Sequence, residues 1–319
     1  MNTPVPGSHV TVLLQESVAM LLPALGAGAV RRCVDATGGR GGHSAALLEH
    51  LQHQDMLLIL DRDPSAIAAL QERFGHDERV VVRQARFSEI RAVLQSLGWD
   101  SVDAILADLG VSSPQLDEAE RGFSFLRDGP LDMRMDPDNG ISAAEWLNTA
   151  SETEISQVLK NYGEERFARA IARKIVQERI QTPLQRTDQL AALIAAVVPR
   201  HDPGFNPATR SFQGIRIFIN HELEELEHFL PEAMAALRAG GRLAIISFHS
   251  LEDRMVKRFF RADDFRISSD LPLRAAEIPP LPWRPIGKSL RASAEEVEMN
   301  PRSRSAVLRV AERSDRHAA

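Results

Sequence analysis

The residues best suited to chemistry stand in three short blocks: Cys33-Val-Asp-Ala-Thr-Gly-Gly-Arg-Gly-Gly-His-Ser44, Asp61 and Asp108. The first block turns through four glycines between positions 38 and 42. Glycine is needed where the backbone takes φ > 0 or passes close to a ligand. A helix opening just after such a turn presents unpaired N–H groups. About twenty residues on, Asp61 ends the apolar run Met56-Leu-Leu-Ile-Leu60, where a carboxylate can hold both hydroxyls of a ribose. The two blocks together point to a nucleoside-containing cofactor.

The spacing narrows the choice. A dinucleotide fingerprint G-x-G-x-x-G breaks, because counting from Gly39 it requires glycine at Ser44 and counting from Gly38 it requires one at Arg40. A phosphate-binding loop of the Walker type lacks its Gly-Lys-Ser/Thr. The acid-x-G-x-G-x-G strand end of class I S-adenosylmethionine methyltransferases fits from Asp35, with Thr37 in the first glycine's place and Gly39 and Gly41 in the others.

Alternating strands and helices must position these blocks. Residues 10–25 read as a first helix, followed by the strand before the glycine turn and the helix after it. Three further strand–helix alternations start at Met56, Val80 and Val102, with Ser88 a plausible N-cap and Asp108 at the end of the fourth strand. Short apolar strands alternating with helices imply a parallel sheet covered on both faces, with ligands outside the carboxyl ends of the strands. Asp35, Asp61, Phe87 and Asp108 all fall at or just past those ends. After Asp108 the alternation stops. Residues 109–140 read as loop, and 141–198 as helices only. The sequence then predicts a return through 204–213, a long helix over 220–239 closed by Gly240-Gly241, and a fifth strand over 242–248. A basic helix over 254–261, an irregular stretch over 265–302 and a closing strand over 305–310 complete the reading. The expected organisation is a discontinuous sheet domain, 1–125 and 206–319, with a helical insertion over 126–205.

Composition sets outer bounds. With 319 residues, 44% apolar and 26% charged, the chain reads as globular. No apolar run is long enough for a membrane span, and the start lacks the layout of a signal peptide. One cysteine, Cys33, suits a reducing cytoplasm, and its place in a strand suggests packing. Net charge is −6, against a general nucleic-acid binder, although residues 251–319 hold 14 Lys and Arg against 11 Asp and Glu.

Longer blocks carry a resemblance. Asp35-Ala-Thr-Gly-Gly-Arg-Gly-Gly-His43, Asp61-Arg-Asp-Pro64, Asp108-Leu-Gly-Val-Ser-Ser-Pro-Gln115, Arg121-Gly-Phe-Ser-Phe125, Gly129-Pro-Leu-Asp-Met-Arg-Met135, Tyr162-Gly-Glu-Glu165, Ala208-Thr-Arg210 and Ile246-Ser-Phe-His-Ser-Leu-Glu-Asp253 together resemble the bacterial RsmH (MraW) methyltransferases. These act on N4 of a cytidine in the decoding region of 16S rRNA. The resemblance implies a class I S-adenosylmethionine-dependent, Rossmann-like α/β sheet, a helical insertion that helps hold RNA, and the small ribosomal subunit as partner. It places the cofactor contacts on Gly41, Gly42, His43, Asp61, Phe87, Asp108 and Gln115.

The acceptor chemistry can be approached from the residues. Methylation at cytosine C5 normally uses a cysteine nucleophile, and Cys33 precedes the glycine turn, where it cannot serve. An exocyclic amine needs no covalent step; acceptors on its hydrogens and alignment with the methyl group suffice. Amino methyltransferases commonly carry an Asp/Ser-Pro-Pro-aromatic tetrapeptide after strand four, and here that position reads Asp108-Leu-Gly-Val111. Asp108 and the loop through Ser113 are the candidate catalytic acceptors, and no general base follows from the sequence. His249 either faces the acceptor base or caps its own helix. Asp253, Asp263 and Asp264 do not have metal-ligand spacing, so no metal is expected. Arg127, Arg134, Arg166, Arg169, Arg173 and Lys174 either line an RNA groove or form solvated helix faces. Oligomeric state is not readable.

Overall fold

The computed structural model describes residues 11–25, 30–199, 206–261 and 281–314. The chain begins with α1 (Leu14–Leu21) and a 3-10 turn to Leu25. Then follow β1 (Arg32–Asp35), α2 (Gly42–Leu48), β2 (Met56–Asp61), α3 (Pro64–Phe74), β3 (Val80–Gln84), α4 (Ile90–Ser96) and β4 (Val102–Asp108). Next come six helices: α5 (Ser113–Asp117), α6 (Ala143–Thr149), α7 (Glu152–Asn161), α8 (Ala168–Gln181), α9 (Thr187–Val197) and α10 (Thr209–Ile219). The chain closes through α11 (Glu222–Ala236), β5 (Leu237–Ser247), α12 (Ser250–Arg261), β6 (Trp283–Pro285), β7 (Leu290–Arg291), α13 (Ala294–Met299) and β8 (Val307–Arg313).

Two compact units result, Met1–Gly110 with Glu224–Ala319, and Val111–Leu223. The expected insertion 126–205 lies inside the second unit, which reaches further at both ends. The reason is packing: Val111, Leu116 and Phe123 before it, and Ala208, Phe212 and Ile215 after it, belong to the core shared by α6 to α9.

In the first unit the sheet runs β3-β2-β1-β4-β5-β8-β6, with β7 also on β8. β1 to β5 are parallel and β8 is antiparallel to its neighbours. The continuous apolar runs follow from burial on both faces. Val34, Leu58, Leu60, Ile105 and Ile245 face a core completed by α4, α11 and α12. Their alternates Cys33, Leu57, Ile59, Leu106 and Ile246 face α1, α2 and α3. All the parallel strands therefore end on one edge. Among the described residues no helix is long and apolar enough to cross a membrane.

Three local expectations are corrected. Gly240-Gly241 do not close a helix, which ends at Ala236. β5 already pairs at Leu237 with Val102, and the register shifts before Ala104 meets Arg242, so Gly240 at φ +76° takes up extra residues in a bulge. Ser88 caps nothing: its hydroxyl donates to Glu225, and the Glu89 carboxylate accepts the Arg86 N–H instead. The return segment holds a full helix, α10, and residues 281–305 hold β6, β7 and α13. Asp263, Asp264 and the rest of 262–280 lie outside the described residues.

Candidate active site at the carboxyl edge of the sheet

The glycine turn is pinned between strands. Ala36 N–H donates to Leu106 O at 2.8 Å and Gly38 N–H to Leu60 O at 2.7 Å. Gly41, at φ +75°, starts α2 where a side chain would be strained, and a Cβ there would meet the Phe74 ring. A Cβ on Gly42 would collide with the Thr11 hydroxyl. These glycines thus make room for protein neighbours, and the turn's backbone edge is what remains for a ligand.

Three carboxylates end adjacent strands. Asp61 Oδ2 accepts the Gly39 N–H and Oδ1 the Asp63 N–H, both at 2.8 Å. Its pKa is raised by burial, against those hydrogen bonds. Asp35 is 1% exposed. It accepts from Ser44 Oγ at 2.5 Å and Thr37 N–H at 3.2 Å, and burial still pushes it up to about 6. The Asp108 N–H donates to Thr37 Oγ1 at 2.6 Å. A quarter of the Asp108 side chain is exposed, yet Oδ1 is buried with no hydrogen-bond partner among the described residues. Burial, reinforced by the charges of Asp35 and Glu252, raises its pKa well above the carboxylate range. An unpartnered buried oxygen carries a desolvation cost that a ligand's donor would relieve.

His43 sits under this edge, 4% exposed. Its Nε2 lies 3.2 Å from Val12 O, and its Nδ1 is 3.7 Å from Asp108 Oδ2. The next residue, Leu13, is fully buried at φ +49°. Its N–H donates to Glu296 Oε1 at 2.7 Å, and its carbonyl accepts from the Ser17 hydroxyl at 2.7 Å. Sequence reasoning missed Val12, Leu13 and Glu296, and no local signal marks a bond between residues 283 apart.

The structure brings Asp35, His43, Asp61 and Asp108 to one edge and sets the other candidates in local roles. Phe87, in a 3-10 turn just past β3, packs edge-on against Phe229 with centroids 5.1 Å apart. Gln115 belongs to the second unit, where its Oε1 accepts the Ser112 N–H at 2.9 Å at the start of α5. His249 Nε2 lies 3.1 Å from Glu252 Oε1, one turn into its own helix. Asp253 grips Arg309 with both oxygens, at 2.7 and 3.1 Å. In the second unit, Arg134 is bidentate to Asp132, Arg127 neighbours Asp117, Arg173 neighbours Glu152 and Lys174 bonds Glu178. Arg166 and Arg169 are exposed at the start of α8.

The sequence model of the MraW methylase family matches residues 7–314. A ribosomal RNA small subunit methyltransferase H of Acidithiobacillus ferrooxidans is 72% identical, covering 98% of this chain and 97% of that relative. One of the same name from Thiobacillus denitrificans is 55% identical over 96% and 97%. A solved rRNA methylase structure from Streptococcus thermophilus aligns with a TM-score of 0.43 at 11% identity, over 97% of this chain and 100% of that one.

Proposed function

The chain belongs to the MraW methylase family, and on that premise we propose that it methylates the exocyclic N4 of a cytidine in the decoding region of 16S rRNA, using S-adenosylmethionine and acting on the small ribosomal subunit in the cytoplasm. Both relatives described above carry the name of a small-subunit rRNA methyltransferase. The observation that carries the reading is Asp108: a buried, unpartnered carboxylate oxygen beside a glycine turn and a ribose-type acid.

The residues present fit the donor. Asp61 keeps lone pairs beyond its two backbone bonds for ribose hydroxyls. Gly42 and His43 present the first-turn N–H groups of α2, Gly41 sets the turn that leads into them with its own N–H bound to Gly38 O, and Phe87 offers an apolar ring face. Asp35 gives the edge negative charge for a cationic group, and Asp108 gives it an open acceptor oxygen. When bound, S-adenosylmethionine supplies an electrophilic methyl on a positively charged sulfonium.

The chain's own part is to hold the amine. The Asp108 Oδ1 atom accepts an amino hydrogen, drawing the N4 lone pair out of conjugation, while Thr37 fixes the Asp108 backbone. A covalent route through C5 has no nucleophile: Cys33 is fully buried in β1 and burial drives its thiol pKa far up. In the second unit, Arg166 and Arg169 are the candidate phosphate contacts. With a net charge of −6, recognition rests on the shape of an assembled particle rather than on bulk attraction.

Methyl transfer from labelled S-adenosylmethionine to small subunits lacking the modification tests the proposal, with nucleoside digestion to identify the product. N4-methylated cytidine from the wild type and almost none from Asp108→Ala is the expected result. Transfer as fast to naked 16S rRNA would refute the particle requirement, and no transfer despite donor binding would refute the substrate.

A further inference from the structure

An amine that gains a methyl group must lose a proton, and the site holds a pair placed to receive it. We infer, on the methyl-transfer reading above, that Asp108 and His43 form one proton-accepting unit. Asp108 touches the amine, and His43 is a positioning residue acting through it.

The ring's orientation is fixed by its neighbours. A carbonyl oxygen only accepts, so the contact at 3.2 Å to Val12 O assigns the hydrogen to His43 Nε2. Val12 cannot swing away, because Leu13 beside it is held at φ +49° by Glu296 and Ser17. Nδ1 is thereby turned, as a base, toward Asp108 Oδ2 at 3.7 Å. The other oxygen, Oδ1, is the buried one with no partner among the described residues. The charged groups acting on Asp108 are Asp35 on β1 and Glu252 on α12, both acids that favour its protonated form. A neutral Asp108 then presents Oδ2 to Nδ1 across 3.7 Å, a gap that closes to hydrogen-bond length in the substrate complex before a proton passes, and offers Oδ1 to the amine.

The step balances without any further reactant. As the N4–methyl bond forms, the donor's carbon–sulfur bond breaks and its electron pair stays on sulfur. The positive charge moves to nitrogen. The N4–H bond then breaks, its pair returning to nitrogen, and the proton joins Oδ1 while the Oδ2 proton passes to His43 Nδ1. Asp108 ends neutral and His43 ends as the imidazolium. Loss of the sulfonium charge at the same moment raises the pair's proton affinity.

Two measurements test this. In the free protein, 15N spectra of labelled histidine, with His43 assigned by its loss in His43→Gln, should show the Nε2–H tautomer and an Nδ1 signal that moves in Asp108→Asn. In turnover, His43→Gln keeps a donor for Val12 O but has no base. It should lower kcat about 10²-fold, leave the donor KM within about threefold, and lose the acid limb of the pH–rate profile. A neutral His43 protonated at Nδ1, or a His43→Gln enzyme with unchanged kcat and acid limb, overturns the pairing. A wild type that binds donor but modifies no cytidine N4 would instead sink the substrate assignment, and the spectra would still judge the pair.

Discussion

Replacing Asp35 by asparagine should remove a pH-dependent penalty built into the sheet. The folded protein raises this acid from 3.8 to about 6 through burial, a difference worth about 3 kcal/mol. The folded state binds the proton more tightly than the unfolded one. The stability it contributes is therefore fully present below pH ~4 and lost as pH rises through ~6. Between pH 4.5 and 8 about 2 kcal/mol of the loss falls within reach of experiment. An amide can still accept the Thr37 N–H and can donate to Ser44 Oγ, so the substitution removes the charge, and what it loses with the Ser44 N–H is a pH-independent cost that cancels in the swing. Urea unfolding in a Trp146→Phe background leaves Trp99 and Trp283, both buried in the sheet unit, to report its unfolding. Other carboxylates titrate over the same range but are common to both proteins, so the wild-type minus variant difference isolates position 35. That difference should swing by about 2 kcal/mol in favour of the variant on going from pH 4.5 to 8. A flat difference, or a swing toward the wild type, would refute the burial argument.

The raised pKa of Asp35 also predicts that S-adenosylmethionine binding releases protons near pH 6, whereas the product S-adenosylhomocysteine, which lacks the sulfonium charge, releases fewer. Calorimetry in buffers of different ionisation enthalpy would count them, and equal counts would speak against the acidic edge. Gly42→Ala should cost about 1–3 kcal/mol through its collision with Thr11, and Thr11→Ala should recover part of that, as a double-mutant cycle by urea unfolding would read. In the helical unit, Asn220 accepts the Met135 N–H and donates to Met133 O, both at 2.7 Å. Asn220→Ala should therefore lose about 2–4 kcal/mol, reported by Trp146 fluorescence, and a loss below about 0.5 kcal/mol would contradict that role.

The parallel strands were legible because each is a short apolar run closed by an acid or a turn residue, a pattern local to the chain. Their common edge followed from topology alone, and with it the grouping of Asp35, Asp61 and Asp108. What escaped depends on partners distant in sequence. Gly240-Gly241 has the composition of a helix end, but pairing of Leu237 with Val102 draws it into a strand. α10 escaped because its first residues follow a segment rich in Gly, Pro and Asn. The fixed ring of His43 depends on Glu296, which no helix or strand period connects to it.

The bond from Leu13 to Glu296 also sets an order of events during synthesis. At about 5–20 residues per second, the ribosome makes Glu296 roughly 15–60 s after Leu13, across the 283 residues between them. Meanwhile the helical unit can close, since its core lies between Phe123 and Ile215. The sheet must wait with Val34, Leu58 and Ile105 covered only in part, by Ile90 and Leu94 of α4, until Leu226 to Met234 arrive on α11. His43 gains its fixed orientation only when the tail docks. The acids of the sheet edge are thus synthesised early, while the clamp that orients the His43 ring is completed late, by a residue 283 positions after Leu13.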